Sequence, residues 1–288
     1  MKGSRGGQVD PVGLRIIGGM HRGRRLRYGG DQRVRPMKDR VREAVFNLLG
    51  SVAVEVAGET ADQAGLTESS GLDNEVRGVG KIGSDGEVIG EVGRTVGKVG
   101  VDGAYVVDLF AGTGAMGLES LSRGAAFALF LERHLPTLKI IRENICELNE
   151  TKRTKIVFGD TFMESRWLGE LPRERRWCVF CCPPYELFRS RTTDLCAMLR
   201  TLRAMAPVGS LFVVESDDQF DTNQLPESDR WRIRRYPPAV VAVAVKTVLE
   251  GPGPVSDGET SGDEGIAGSS GISEFPDSGT SEQNGVHV

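Results

Sequence analysis

The run Val106-Val107-Asp108-Leu109-Phe110-Ala111-Gly112-Thr113-Gly114-Ala115-Met116-Gly117 limits what this chain can fold into more than any other stretch. Val106, Val107, Leu109 and Phe110, interrupted by one acid, predict a buried strand. The glycines after it predict a tight turn that opens a helix running to about Arg123. Such a turn is a nucleotide cradle: glycine supplies the permissive dihedrals and lets a ligand approach the backbone with no Cβ in the way. The spacing Gly112-x-Gly114-x-x-Gly117 matches the dinucleotide fingerprint, and Glu132 lies where an acid would meet a ribose hydroxyl. Two features turn the reading away from a nicotinamide site. Asp108 sits inside the strand, where a pyrophosphate gains nothing from a carboxylate but a cationic sulfonium ligand with an amino-acid moiety does. Pro183-Pro184-Tyr185, far downstream, is required by no dehydrogenase.

Composition divides the 288 residues. Residues 51–104 hold twelve glycines and ten acids against four bases, and residues 251–288 hold seven acids and no Lys or Arg. Neither stretch buries much apolar surface, so both are expected to be disordered, the first as an insertion and the second as an acidic tail. The net charge of −4 hides an asymmetry, because residues 1–50 carry +8 and residues 105–250 only +1. A basic arm on a nearly neutral domain is the electrostatic footprint of a polyanion partner, or else a solubilising terminus. Cys146, Cys178, Cys181, Cys182 and Cys196 are odd in number and scattered through apparent core, which favours a reducing cytoplasm. Cys178-x-x-Cys181 has no second ligand pair at metal spacing and lies in an apparent buried strand, so no metal is expected. No apolar run is long enough for a membrane span.

In chain order, residues 1–13 are a flexible lead. Leu14 to Tyr28 places apolar residues around Gly18-Gly19 and predicts a β-hairpin with Arg15, Arg22, Arg24 and Arg25 turned to solvent, suited to phosphate oxygens. Arg33, Arg35 and Pro36 lead into a helix over about 38–49. Its apolar face is Val41, Ala44, Val45, Leu48 and Leu49, and its polar face Lys38, Arg40, Arg42 and Glu43. Beyond the cradle, strands at 126–131 and 155–158 flank a helix at 135–149 and end in Glu132 and Gly159-Asp160. Strand and helix alternating with short turns predict a right-handed parallel α/β sheet whose ligand lies across the strands' carboxyl ends. Asp108, Gly112, Gly114, Glu132 and Asp160 all fall at those ends. A fourth strand, Trp177 to Cys181, delivers Cys182-Pro183-Pro184-Tyr185 beside the cradle. The prolines stiffen the turn and leave carbonyls free to accept from a base amine, while Tyr185 can stack on the ring. A helix at 193–205, a strand at 210–214 ending in Glu215, and an antiparallel pair near 231–236 and 240–248 complete a domain over 105–250.

The residues Ile16-Ile17-Gly18-Gly19, Arg22-Gly23-Arg24, Arg35-Pro36, Asp39-Arg40-Val41-Arg42-Glu43-Ala44-Val45-Phe46-Asn47, Asp108 to Gly114 and Pro183-Pro184-Tyr185 together resemble the RsmD family. Those are bacterial enzymes that methylate the exocyclic N2 of one guanine in 16S ribosomal RNA. The resemblance runs from Arg15 to about Lys246, apart from the insertion. It implies an α/β, Rossmann-like, seven-stranded sheet with an antiparallel edge hairpin, a small basic hairpin-helix extension over 14–50, and S-adenosyl-L-methionine across the cradle. By the same resemblance Asp108, Gly112 and Gly114 meet the methionine end, Glu132 the ribose hydroxyls and Asp160 the adenine amine. Cys182, Pro183, Pro184 and Tyr185 form the catalytic motif, and Arg15, Arg22, Arg24, Arg25 and Arg40 hold RNA phosphates. The implied partner is 16S ribosomal RNA or an assembly intermediate of the small subunit, met by a cytoplasmic monomer.

One departure stands out. The family carries Asp, or in relatives Asn, where this chain has Cys182, and a thiol is a weak acceptor. Losing one acceptor costs about 1–3 kcal/mol, a factor of roughly 10–100 in rate. A catalytically weakened or inactive assembly factor of the same fold is therefore a second reading. An adenine-N6 nucleic-acid methyltransferase, which uses the same proline-proline-aromatic logic, is a third.

Overall fold

The structure, a computed structural model, describes residues 13–30, 36–57, 76–82 and 88–247. Residues 1–12 of the lead expected to be flexible, Arg33, Arg35 and the tail over 251–288 lie outside the described residues.

Helix α1 spans Asp39–Gly50. Three strands, β1 (Ala53–Ala57), β2 (Val76–Ile82) and β3 (Val88–Lys98), then form an antiparallel sheet in the order β1-β3-β2. This differs from the structureless insertion expected at 51–104. Glycine is a poor strand former, but the valines that recur between the glycines favour an extended backbone, and the antiparallel ladders pair its polar groups. The excursion is pinched at its base. Ala53 pairs with Lys98, Val99 donates its N–H to the Val52 carbonyl at 2.8 Å, and Val52 and Val99 are both buried.

The chain then builds β4 (Tyr105–Asp108), α2 (Ala115–Ser122), β5 (Phe127–Glu132), α3 (Leu135–Glu147) and β6 (Thr154–Phe158). It continues through β7 (Trp177–Cys181), α4 (Leu187–Ser190), α5 (Thr192–Met205), β8 (Leu211–Asp217), β9 (Arg232–Tyr236) and β10 (Ala239–Val245). The seven strands stand in the order β6-β5-β4-β7-β8-β10-β9. Strands β4 to β8 pair in parallel, and β10 runs antiparallel to both β8 and β9. This is the Rossmann-like α/β architecture with its antiparallel edge.

Alternate residues of the central strands feed two cores. Val106, Phe130, Phe180 and Val213 join Leu118 of α2 and Ile141 of α3 on one face, whereas Val107, Leu129, Val179 and Phe212 join Leu195, Leu199 and Leu202 of α5 on the other. Ile16, Leu26, Val45, Phe46 and Leu49 enter the first core, so the hairpin and α1 pack against the sheet. Arg42 corrects the expected polar face of that helix: its side chain is fully buried. The positions three, four and seven beyond it are Val45, Phe46 and Leu49, which places Arg42 on the apolar stripe.

From β4 the chain winds outward through β5 and β6, then crosses back to set β7 against the other side of β4. At such a switch point the following connections diverge, and a crevice opens at the carboxyl ends of the two strands. Asp108 lies opposite Phe180 across that pair.

Candidate active site

The cradle is built where β4 ends. Gly112 and Gly114 have φ of +54° and +78°, a left-handed backbone that side-chain-bearing residues adopt at a cost, and Gly114 caps α2. Gly117 serves close packing, since a Cβ there would lie 2.3 Å from the Phe130 ring. Its N–H donates to Asp108 Oδ2 at 3.2 Å. Burial is the main reason that the Asp108 carboxyl is pushed up to about 7; the Gly117 N–H opposes the rise and the nearby Glu132 charge adds to it.

Acids follow at successive strand ends. Glu132, closing β5, accepts from the Gly112 N–H at 2.9 Å and the His134 N–H at 2.8 Å. Asp160, just past β6, accepts from the Phe162 N–H at 3.1 Å and lies 3.5 Å from the Arg191 guanidinium. That guanidinium stacks 3.7 Å above the Phe162 ring. Ionised carboxylates only accept, so Glu132 and Asp160 suit a ribose diol and an exocyclic amine and repel a polyphosphate, and Asp108 suits an ammonium, which draws its proton off. The residues present therefore fit S-adenosyl-L-methionine.

On the other side of the switch point, Cys182 follows β7, with Pro183 buried, Pro184 exposed and Tyr185 half-buried. Burial raises the Cys182 thiol well above its ordinary value, and Glu215 and Asp108 add to the effect, so the group stays protonated at neutral pH. Tyr185 donates its hydroxyl to Glu215 Oε1 at 3.0 Å, which fixes the ring at the mouth of the crevice. Cys178 and Cys181 are buried within β7, and burial lifts both thiols. Among the described residues no group of three or more His, Cys, Asp or Glu could hold a metal ion, and no helix is long and apolar enough to cross a membrane.

The arginines occupy a different region from this row of acids. Arg15 pairs with Asp39 at 3.2 Å, and Arg24 donates to the Glu147 carbonyl of α3 at 2.8 Å. Arg22, Arg25 and Arg40 are exposed. A single bridge, Arg15 with Arg25, marks the hairpin, which bonds of 2.9 Å from the Ile16 N–H to the Arg24 carbonyl and from the Leu26 N–H to the Leu14 carbonyl extend.

Three residues without a role in the sequence reading organise the site and the hairpin beside it. Fully buried Glu119 of α2 accepts from the N–H groups of Ile17 at 2.7 Å and Gly18 at 2.8 Å and from Arg123 Nε at 2.7 Å, while Arg42 Nε stands 4.0 Å away. A Cβ on Gly19 would fall 1.8 Å from the Ser122 carbonyl, so glycine is what lets the hairpin lie against α2. Asn144 of α3 accepts from the Arg27 N–H at 2.7 Å and donates to the Thr113 carbonyl at 3.0 Å, linking the hairpin to the glycine turn. Glu215 is the third. A lone charged residue in the otherwise uncharged helix Ala115–Ser122 was a visible signal for Glu119; nothing local marked Asn144.

Comparisons with known proteins agree with this layout. A family model described as conserved hypothetical protein 95 matches residues 14–63 and 92–243, leaving out the middle of the insertion. YlbH of Bacillus subtilis, provisionally named an rRNA methyltransferase, is 24% identical over 174 residues, which cover 60% of this chain and 67% of that protein. Ribosomal RNA small subunit methyltransferase D of Buchnera aphidicola is 36% identical over 76 residues, 26% of this chain and 38% of that protein. Among solved structures, YhhF of Escherichia coli, provisionally named a methyltransferase, aligns with a TM-score of 0.51 at 22% identity. That alignment covers 81% of this chain and 98% of that one, a likeness of fold.

Proposed function

The chain belongs to the conserved hypothetical protein 95 family, the RsmD-like family of its motifs, and on that premise we propose that it methylates ribosomal RNA. More narrowly, we propose that it transfers a methyl group from S-adenosyl-L-methionine to the exocyclic N2 of a guanine in 16S ribosomal RNA. One observation carries this reading: the glycine turn after β4 and the Cys182-Pro183-Pro184-Tyr185 turn after β7 leave adjacent strands at the switch point of the sheet.

Asp108 with the Gly112 and Gly114 backbone would hold the methionine end, Glu132 the ribose and Asp160 the adenine amine. When bound, S-adenosyl-L-methionine supplies an electrophilic methyl group on a sulfonium. The chain's own part is positioning, which accounts for much of the rate in transfers that need only in-line geometry. Tyr185 stacks on the target base, the Pro183 carbonyl accepts from its amine, and the stiff proline pair keeps that carbonyl from turning away. Exposed Arg22, Arg25 and Arg40, with Arg15 and Arg24, hold phosphates of the RNA. Free 16S RNA or a small-subunit assembly intermediate is the substrate we assign, met in the cytoplasm by a monomer.

The neutral thiol of Cys182 favours a second reading, an assembly factor that keeps the fold and has lost turnover. The two separate in a single-turnover assay with radiolabelled S-adenosyl-L-methionine on partly assembled small subunits. Transfer to guanine N2 by the wild type supports the enzyme; transfer only after Cys182→Asp supports the assembly factor; label on adenine N6 overturns the guanine assignment.

A further inference from the structure

We propose that Glu215 supplies the acceptor for the target amine that Cys182 does not, an inference that rests on the methyltransferase reading above. The parallel register sets Cys181 beside Val214 as the last pair of that ladder, so Cys182, the residue after β7, and Glu215 of β8 follow side by side just beyond it. Cys182 offers only a thiol, a weak acceptor, and a carboxylate stands one strand away. Its Oε1 is held by the Tyr185 hydroxyl at 3.0 Å, which ties the carboxylate to the residue that stacks on the base.

The other acids of the crevice already accept from the protein: Asp108 from Gly117, Glu132 from Gly112 and His134, Asp160 from Phe162, and Asp217, two residues beyond Glu215, from Arg189 at 2.8 Å through Oδ2, its Oδ1 being buried without a partner among the described residues. Among the described residues Tyr185 is the hydrogen-bond partner of the Glu215 side chain, and Oε2 remains for a second donor. An N–H of the target amine is such a donor, and its bond to Oε2 turns the nitrogen lone pair toward the methyl group. As the nitrogen takes the methyl group, its lone pair forms the N–C bond, and the C–S bond breaks with its electrons left on a neutral thioether. The surplus N–H proton passes to Glu215 and then to water. Burial raises the Glu215 carboxyl, which favours that uptake.

The test is single-turnover methyl transfer by wild type, Glu215→Gln, Cys182→Asp and the double variant on partly assembled small subunits, with S-adenosylhomocysteine affinity measured by calorimetry. Glu215→Gln is expected to slow transfer about 10–100-fold with cofactor affinity unchanged within about twofold. Adding Cys182→Asp to Glu215→Gln is expected to recover at least about tenfold, more than Cys182→Asp gains in the wild type. A purely structural Glu215 would not be rescued by an acid on the neighbouring strand. If Glu215→Gln does not fold, Glu215→Asp is used in its place. A Glu215→Gln rate within about twofold of an active wild type, or no rescue by Cys182→Asp, overturns the inference alone. A wild type that transfers no methyl group overturns the methyltransferase reading and this inference with it.

Discussion

The side-chain amide of Asn144 donates to the Thr113 carbonyl at 3.0 Å, so helix α3 fixes the turn between the two glycines that a ligand must approach. The oxygen of the same amide accepts from the Arg27 backbone, and the basic hairpin and the cradle therefore share one buried side chain.

Asn144→Ala leaves the Thr113 carbonyl and the Arg27 N–H without their partner. We expect a loss of about 1–3 kcal/mol of stability and about tenfold weaker S-adenosylhomocysteine binding. Thermal unfolding and calorimetry on one preparation check both.

Glu119→Ala removes the acceptor of Ile17, Gly18 and Arg123 and strips Arg42 of a neighbouring negative charge. Breaking such a buried pair costs about 3–5 kcal/mol, so Tm is expected to drop by roughly 10 °C or more. Glu119→Gln, which keeps a carbonyl acceptor, is expected to lose less. Limited proteolysis in the 13–30 hairpin should rise in the same order.

Asp108 gives a pH signature. Its folded value of about 7 lies above the ordinary 3.8. Between those values the folded protein holds a proton that the unfolded chain releases. The stability from that difference is full below about pH 4 and is lost as pH rises through about 7. Asp108→Asn removes the loss, so its Tm is expected to exceed the wild-type value by several degrees at pH 8 and to approach it at pH 5. The same variant should bind S-adenosylhomocysteine about 10–100-fold more weakly at pH 8, because a charged acceptor is gone. Stability gained while affinity falls is a pattern that simple misfolding cannot produce.

Arg22, Arg25 and Arg40 stand exposed. If each neutralises one phosphate, replacing all three with Ala should lower the slope of log K against log salt by about 2 to 3 and leave cofactor affinity unchanged. An unaltered slope in a filter-binding series would remove these arginines from the RNA interface.

How far the sequence carried depended on whether the cause was local. Strand β7 was legible to the residue, because Trp177 to Cys181 is a continuous apolar run stopped by two prolines. Glu132 was legible in the same way, as the first charged residue after the apolar run of β5. Arg42 was misplaced because a guanidinium on an apolar stripe reads as exposed until its partners are known. Those partners are Asp39, one turn back on the same helix, and the Arg15 carbonyl and Glu119, which only the fold brings near. Asn144 and Thr113 are 31 positions apart, and Glu119 and Ile17 are 102 apart; neither bond leaves a periodic trace. The three strands within 53–98 were hidden by glycine content, since composition measures the lack of apolar side chains and not the pairing of backbone groups.

The central claim is that a methyl donor at the glycine turn faces a guanine held against Tyr185. The most direct measurement is mass spectrometry of the ribosomal RNA nucleosides after incubating the wild-type protein with partly assembled small subunits and isotopically labelled S-adenosyl-L-methionine. Label is expected on N2-methylguanosine, abolished by Asp108→Ala and strongly reduced by Tyr185→Ala. Label on N6-methyladenosine, or no label with the donor bound, would contradict it.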